Sequence, residues 1–472
     1  MNNNLLVNLS KFQSSFNLIE KVADALRSCS TDKGKINRYE VYVDDYDLLE
    51  ELCSIQHIGR YYWSSRDNTF EMAGWGEADV VVSKEETYSF SYNEVFSKLQ
   101  EKISLKSPTL RYYGGSKFQP LDSRGKRWKV FRAYRFVVPR VELFRDNSGT
   151  RLVANIVGGD ASFELEQFLD MLKCLKVWLL NESLCEESEP YIFFNRIDCP
   201  SKHEWTELVN RALIAIDRGS FEKVVLARES TFESNRYLDP VSILRKVSKD
   251  AFRCYHFCFN PSPDRGFIGV SPERLYYRVS TYMETEALAG TIPRGKNEDE
   301  DLQLKSVLLT NKKERMEHEI VVNMLKNNME QLCCNYEYDV KPQVITLSTV
   351  HHLYTYFRGI LRASVTDSDI LELLHPTPAI GGYPKSSALE WIKREEPIDR
   401  GIYTGPVGWI SYDSAEFCVG IRSALVQGNH ISLYSGAGIV IGSQPESEWY
   451  ELESKIKGYI NVLVCENSQV QK

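Results

Sequence analysis

Two Glu-x-x-Glu stretches, Glu314/Glu317 and Glu448/Glu451, stand far apart in the chain, each in a segment with helical apolar spacing. Carboxylates three residues apart share one helix face. A fold that sets these two helices against each other gathers four oxygen-rich side chains, the hard-ligand set that magnesium prefers. Acidic pairs on helices are more often solvated faces, but Glu317 resists that reading. In "NKKERMEHEIVVNMLKNN" the apolar Ile320, Val321 and Met324 follow it at helical spacing, which puts the carboxylate on the stripe expected to face the core. An unpaired carboxylate buried there is costly. In "SQPESEWYELESKIKGYINVLV" the stripe is Trp449, Leu452, Ile456 and Ile460, with Glu448, Glu451 and Lys455 grouped at its edge. Ser443, Pro445 and Glu446 read as a capping box opening this helix, so the second acidic pair lies near the positive end of its dipole. The pattern points to a metal-dependent site that handles an anionic substrate.

The rest of the chain narrows the class of function. At 472 residues and 43% hydrophobic content it has ample material for a core, as two or three ordinary domains or one large one. Lys plus Arg number 57 against 65 Asp plus Glu, and the net charge of −8 argues against a general nucleic-acid or anionic-membrane surface. Small substrates are the better expectation. The 11 cysteines show no metal-ligand spacing and suit reduced thiols, hence a cytoplasmic protein. The start, "MNNNLLVNLSKFQSSF", lacks the pattern of a secretory signal, and no stretch is apolar for the roughly 18 residues of a membrane span.

Helical patterns are expected over 15–30 and 161–180, and "KRWKVFRAYRFVVPRVELFR" reads as paired strands. Basic residues crowd between Lys106 and Arg145, interleaved with aromatics; alternation along strands explains them more cheaply than a nucleic-acid groove. "CEESEP", at 185–190, is the expected surface connection. Beyond it come a helix near 203–217, strands from "FEKVVLARESTF" through "FCFNPSPDRGFIGVSPERLYYRV", helices from about 300 to 330, and strands over 403–442.

Several residues carry chemical potential. Gly436, Gly438 and Gly442 lack the spacing of a dinucleotide loop, because Ile439, Val440 and Ile441 continue as strand. Glycine within a strand marks either a bulge or a close approach of ligand or backbone. Lys223 sits in the apolar run "EKVVLAR". Most such lysines snorkel, whereas burial disfavours the ammonium form and yields the neutral amine that a general base requires. Glu273, in "GVSPERL", is an ordinary loop carboxylate unless enclosed, where its pKa rises and it becomes a proton donor. His352, Tyr403 and Arg422 come from apolar or Gly-flanked strands and are plausible substrate contacts.

Taken in order, "EKVVLAR", "GVSPERL", "ALAGTIPRG", "KKERMEHEIVV", "STVHHL", "LHPTPAIGGYP", "DRGIYTGPVGW", "FCVGIRSALV" and "YSGAGIVIGSQPESEWYELESK" resemble the chorismate-binding family, specifically its isochorismate synthases, over roughly Trp205 to Ile460. The resemblance implies an α+β, anthranilate synthase component I-like fold of two stacked, mainly antiparallel sheets with surrounding helices. Residues 1–190 would form a divergent N-terminal half contributing strands to the same domain, and 200–465 the catalytic region. It further implies that Glu317 and Glu451 ligate Mg2+ directly, while Glu314 and Glu448 hold metal-bound water. Tyr403, Arg422, the backbone around Gly436 and Gly438, and Lys455 would bind the two carboxylates of chorismate, with Thr291 and His352 as pocket residues. Lys223 would activate a water for attack at ring carbon 2, and Glu273 would protonate the hydroxyl leaving carbon 4. Relatives that add ammonia do not carry lysine at position 223. Salicylate synthases share it, but those resembling this chain tend to have threonine at the position of Ala379. A catalytically silent chorismate-binding protein is the remaining alternative. The expectation is a magnesium-dependent, monomeric isochorismate synthase, with the extended N-terminal half leaning toward the menaquinone type rather than siderophore or salicylate production.

Overall fold

The computed structural model describes residues 16–22, 24, 34–56, 58–84, 90–103, 107–119, 126–159, 163–164, 166–168, 170 and 191–464. Half of the expected 15–30 helix, most of the expected 161–180 helix and all of "CEESEP" lie outside the described residues; the described residues 16–22 are helical.

Two sheets dominate, one of 12 strands and one of 10. Every described ladder is antiparallel. In the larger sheet, strand Arg60–Ser64 pairs with Tyr255–Ser262, joining strands from before residue 190 to Arg265–Ser271, Ser423–Gln427, His430–Ile439 and Lys223–Ser234. In the smaller sheet, Tyr112–Ser116 pairs with Pro406–Ile410 and makes the same kind of seam. The faces pack through an aromatic layer: Tyr61, Trp63 and Phe257 from one sheet meet Tyr113, Val407 and Trp409 from the other. The architecture is therefore α+β, with two stacked antiparallel sheets and helices outside them, as expected.

The strands expected within "KRWKVFRAYRFVVPRVELFR" form, but they do not pair with each other. Tyr134–Val138 belongs to the smaller sheet and Val141–Asp146 to the larger one. Pro139, which has no N–H to donate to a ladder, lies in the short link that carries the chain across. Three arginines of this region are engaged in ion pairs: Arg135 with Glu77, Arg140 with Glu164, and Arg145 with Asp45 and Glu71. The Arg111 guanidinium lies over Phe70 and Trp409, 4.4 and 4.5 Å from the ring centroids.

Both acidic helices form. Lys312–Leu332 is capped by Asn311, whose side chain accepts from the Glu314 N–H. Its buried stripe is His318, Val321, Leu325, Met329 and Leu332, so Glu317 lies at the edge of the core face rather than at its centre. The other helix runs Pro445–Val464. Ser443 does not hold the expected capping-box position: the Glu448 N–H bonds the Gln444 carbonyl, which puts Ser443 one residue ahead of the cap, and the Ser443 hydroxyl accepts from the Val440 N–H at 3.3 Å. No described helix is long and apolar enough to cross a membrane.

Candidate active site

Strand Arg265–Ser271 ends in the larger sheet and strand Arg274–Val279 begins in the smaller one. Glu273 sits at that corner, 4% exposed, in the wall of a cavity of about 70 Å³. Thr291, Glu317, His352, Ala379, Tyr403, Arg422, Gly436, Gly438, Glu451 and Lys455 line the same cavity. Pro272, Arg422 and Lys455 also line a wider neighbouring cavity of about 560 Å³.

Lys223 opens strand Lys223–Ser234 and is fully buried. Its Nζ donates to Glu317 Oε1 at 2.8 Å. Lys223 does not itself line the cavity but meets it through Glu317 and Gly438, which do. The strand glycine has a physical reason: a Cβ at Gly438 would stand 2.5 Å from Glu317 Oε1 and 2.9 Å from Lys223 Cε. Gly436 likewise faces the Tyr403 hydroxyl, 3.0 Å from where a Cβ would be, and its carbonyl accepts from Lys455 Nζ at 2.8 Å. The close-approach reading of these glycines therefore prevails over a bulge, since the ladder with Lys223–Ser234 runs without interruption.

Electrostatics separate the acids. Burial, reinforced by the charge of Glu286, pushes Glu273 up to about 8, against the opposing effect of Lys223 and Lys455. Glu273 thus holds a proton at neutral pH. Burial alone would also raise Glu317, but Lys223, Lys455 and Lys313 together hold it below its ordinary value. Burial and the neighbouring Glu317 push Glu314 up to about 7, and burial with Glu451 raises Glu448. His352 accepts or donates at Nδ1 to the Thr291 hydroxyl, 3.0 Å away, and burial, followed by Arg422 and Lys455, drives its pKa well down, leaving it neutral.

The four acids do converge. The Lys313 ammonium spans the two helices, 2.7 Å from Glu448 and 3.8 Å from Glu314. Lys455 pairs with Glu451 at 2.5 Å, and Glu314 accepts from the Thr291 N–H at 2.7 Å. Glu314 and Glu448 belong to this cluster without lining the cavity. With lysines on the carboxylates, no three His, Cys, Asp or Glu among the described residues are arranged to hold an ion as they stand. The donor chemistry nevertheless fits a hard divalent cation: all donors are carboxylate oxygens, and Glu314 and Glu448, raised first by burial and then by the neighbouring Glu317 and Glu451, are groups that added positive charge would hold ionised.

Several residues at or behind the site have no sequence signal of the kind used above. Lys313 reads as part of a surface charge run. The buried Arg400–Glu396 pair is another case: Arg400 donates to the Val225 and Ile380 carbonyls, and Glu396 accepts from the Ala227 N–H. It fixes one cavity wall from behind. Arg66 and Glu286 are a third, taken up below.

Residues 22–464 match the family described as chorismate binding enzyme. Isochorismate synthase 2, chloroplastic, of Arabidopsis thaliana is 36% identical over 429 residues, covering 89% of this chain and 74% of that one. The solved structure of MenF, the menaquinone-specific isochorismate synthase from Escherichia coli, superposes with a TM-score of 0.81 at 27% identity, covering 95% of this chain and all of that one. Anthranilate synthase component I from Streptococcus pneumoniae shares the fold at a TM-score of 0.61 and 18% identity, covering 86% of this chain and 91% of that one.

Proposed function

The chain belongs to the chorismate binding enzyme family, and from that premise we propose that it converts chorismate to isochorismate in a menaquinone-type isochorismate synthase reaction. The observation that carries this reading is a fully buried lysine set behind the wall of the cavity that encloses Glu273, with Lys223 close enough to lower the pKa of that glutamate against the effect of burial.

The reaction exchanges one hydroxyl for another. Lys223 would take a proton from water, whose oxygen bonds to ring carbon 2. The ring double bonds shift, the carbon 4–oxygen bond breaks, and Glu273 gives its proton to the departing hydroxyl. One water enters and one leaves, so the product is an isomer. General base and general acid assistance are each worth roughly 10²- to 10⁴-fold. Arg422, Lys455, Tyr403, Gly436 and Gly438 line the cavity, and in this reading the cations, the Tyr403 hydroxyl and the glycine backbone would hold the two carboxylates of the substrate. Neutral His352 and Thr291 add polar contacts without adding charge. Glu317 and Glu451 would hold Mg2+ directly, with Glu314 and Glu448 behind them. When bound, the ion supplies the positive charge that reconciles the ring carboxylate of chorismate with four acids. The reading takes the enzyme as a cytoplasmic monomer.

Incubation with chorismate and Mg2+ should yield isochorismate, resolved by chromatography. Lys223→Ala should bind chorismate yet form almost none, and near-normal turnover would remove it as the base. Prompt salicylate fluorescence with release of pyruvate would instead identify a salicylate synthase. Ala379, present in the cavity wall without a hydroxyl, favours the first outcome.

A further inference from the structure

Arg66 lies between strands Arg60–Ser64 and Phe70–Trp75, ahead of the nine motifs quoted for the resemblance. Its guanidinium grips Glu286 with two hydrogen bonds, Nη1 to Oε1 at 2.7 Å and Nη2 to Oε2 at 2.8 Å. The same Nη1 donates to the Pro272 carbonyl at 3.1 Å. Glu286 Oε1 in turn accepts from the Arg274 backbone N–H at 2.9 Å. One buried ion pair therefore fastens the residues immediately before and after Glu273. The remaining backbone groups of the corner are tied as well: the Glu273 carbonyl accepts from the Val419 N–H at 3.0 Å. The Ser271 hydroxyl donates to the Val419 carbonyl at 2.6 Å. Neither Arg66 nor Glu286 lines the cavity.

We propose that Glu286, clamped by Arg66 from the N-terminal half, is a positioning residue for Glu273: it fixes the peptide on either side of the proton donor and sets a second negative charge beside it. The inference rests on the reading of Glu273 as the acid. A bidentate arginine is suited to this task because the planar fork fixes direction as well as charge, which lysine does not reproduce. The groups that face Glu273 are Glu286 from strand Tyr282–Pro293, Lys223 from its strand, Lys455 from helix Pro445–Val464, Tyr403 from the loop before Pro406–Ile410, and Cys418 from strand Ser414–Val419. His352 and Arg422 share the cavity. Of the charged groups acting on Glu273, Glu286 alone opposes loss of its proton, while both lysines promote it.

The test is the pH profile of kcat for chorismate conversion by the full chain with Mg2+. Glu286→Gln keeps the shape and removes the charge, so the alkaline limb should move to lower pH while KM stays within twofold. A displacement of one pH unit lowers the rate at pH 8 by about fivefold and barely changes it at pH 6. Arg66→Lys should recover part of the kcat lost in Arg66→Ala. If Glu286→Gln does not accumulate in folded form, Arg66→Met combined with Glu286→Gln removes both buried charges together, and the same limb decides. An unmoved alkaline limb, or a loss of rate equal at every pH, overturns the proposal. The readings fail differently: no isochorismate from the wild type sinks the function itself, an active Glu273→Gln sinks the reading of Glu273 as the acid, and an unmoved limb with both of those intact sinks only the role of Glu286.

Discussion

Glu273→Gln should make the fold more resistant to alkali while silencing the enzyme. The side chain is 4% exposed and its pKa is raised from an ordinary 4.5 to about 8, chiefly by burial. Between those two values the folded protein holds a proton that the unfolded chain releases, so raising the pH favours unfolding. Stability from this group is complete below 4.5 and is lost progressively as pH rises through 8. The loss is about 1.4 kcal/mol per pH unit inside the window, which integrates to about 2.5 kcal/mol from pH 5 to 7 and about 4 kcal/mol from pH 5 to 9. Glutamine matches the protonated carboxyl in shape and cannot ionise. Urea unfolding of wild type and variant, followed by tryptophan fluorescence without substrate at pH 5, 7 and 9, isolates the term because all other groups are common to both. The two should be within about 1 kcal/mol at pH 5 and diverge in favour of the variant by the amounts above. Parallel stability curves would refute the reasoning, since Glu273 would then be ionised at neutral pH and unable to serve as proton donor.

Other perturbations report on separate parts of the site. Gly438→Ala places a methyl against Glu317 and Lys223 and should cost about 10²-fold or more in kcat, the worth of a displaced general base, with a melting temperature near that of wild type. Glu317→Gln should abolish the Mg2+ binding heat measured by calorimetry on the substrate-free protein, and retained binding would remove Glu317 as a ligand. Arg400→Met strands the buried Glu396 carboxylate and should lower unfolding free energy by about 3–5 kcal/mol in urea, with stability regained when Glu396→Leu is added.

How much of this was legible in the sequence depended on the range of the interactions involved. The acidic helices, the helix at Lys202–Asp217 and the strands from Lys223 onward were readable because their apolar periodicity is local. The fate of "KRWKVFRAYRFVVPRVELFR" was not. Strand propensity identified both strands correctly, but the partner of each is set by the opposing sheet, and Tyr134–Val138 and Val141–Asp146 went to different ones. The orientation of helix Lys312–Leu332 was off for a related reason. The core wraps around His318, whose Nδ1–H donates to the Ala289 carbonyl and whose Nε2 accepts from the Thr355 hydroxyl. A buried, neutral histidine occupies the face that counting only aliphatic residues had given to Ile320 and Met324.

The same distinction runs through the site. Lys223, Glu317 and Glu451 could be singled out because each breaks a local rule: a cation in an apolar run, or a carboxylate beside a core stripe; Glu273 reads locally as an ordinary loop carboxylate and is marked only by the resemblance to the family. Residues that support them break none. Arg66 occupies a polar turn, "SSRDNTF", where an arginine is unremarkable, and it reaches Glu286 across 220 positions of sequence. Its importance exists only once strand Arg60–Ser64 has paired with Tyr255–Ser262 and brought that turn over the corner at Pro272–Arg274. Local chemistry therefore exposes the groups that react, whereas the groups that hold them in place emerge from long-range pairing. For this fold that pairing runs through the more divergent N-terminal half, and substitutions there should alter the pH profile of catalysis before they alter substrate affinity.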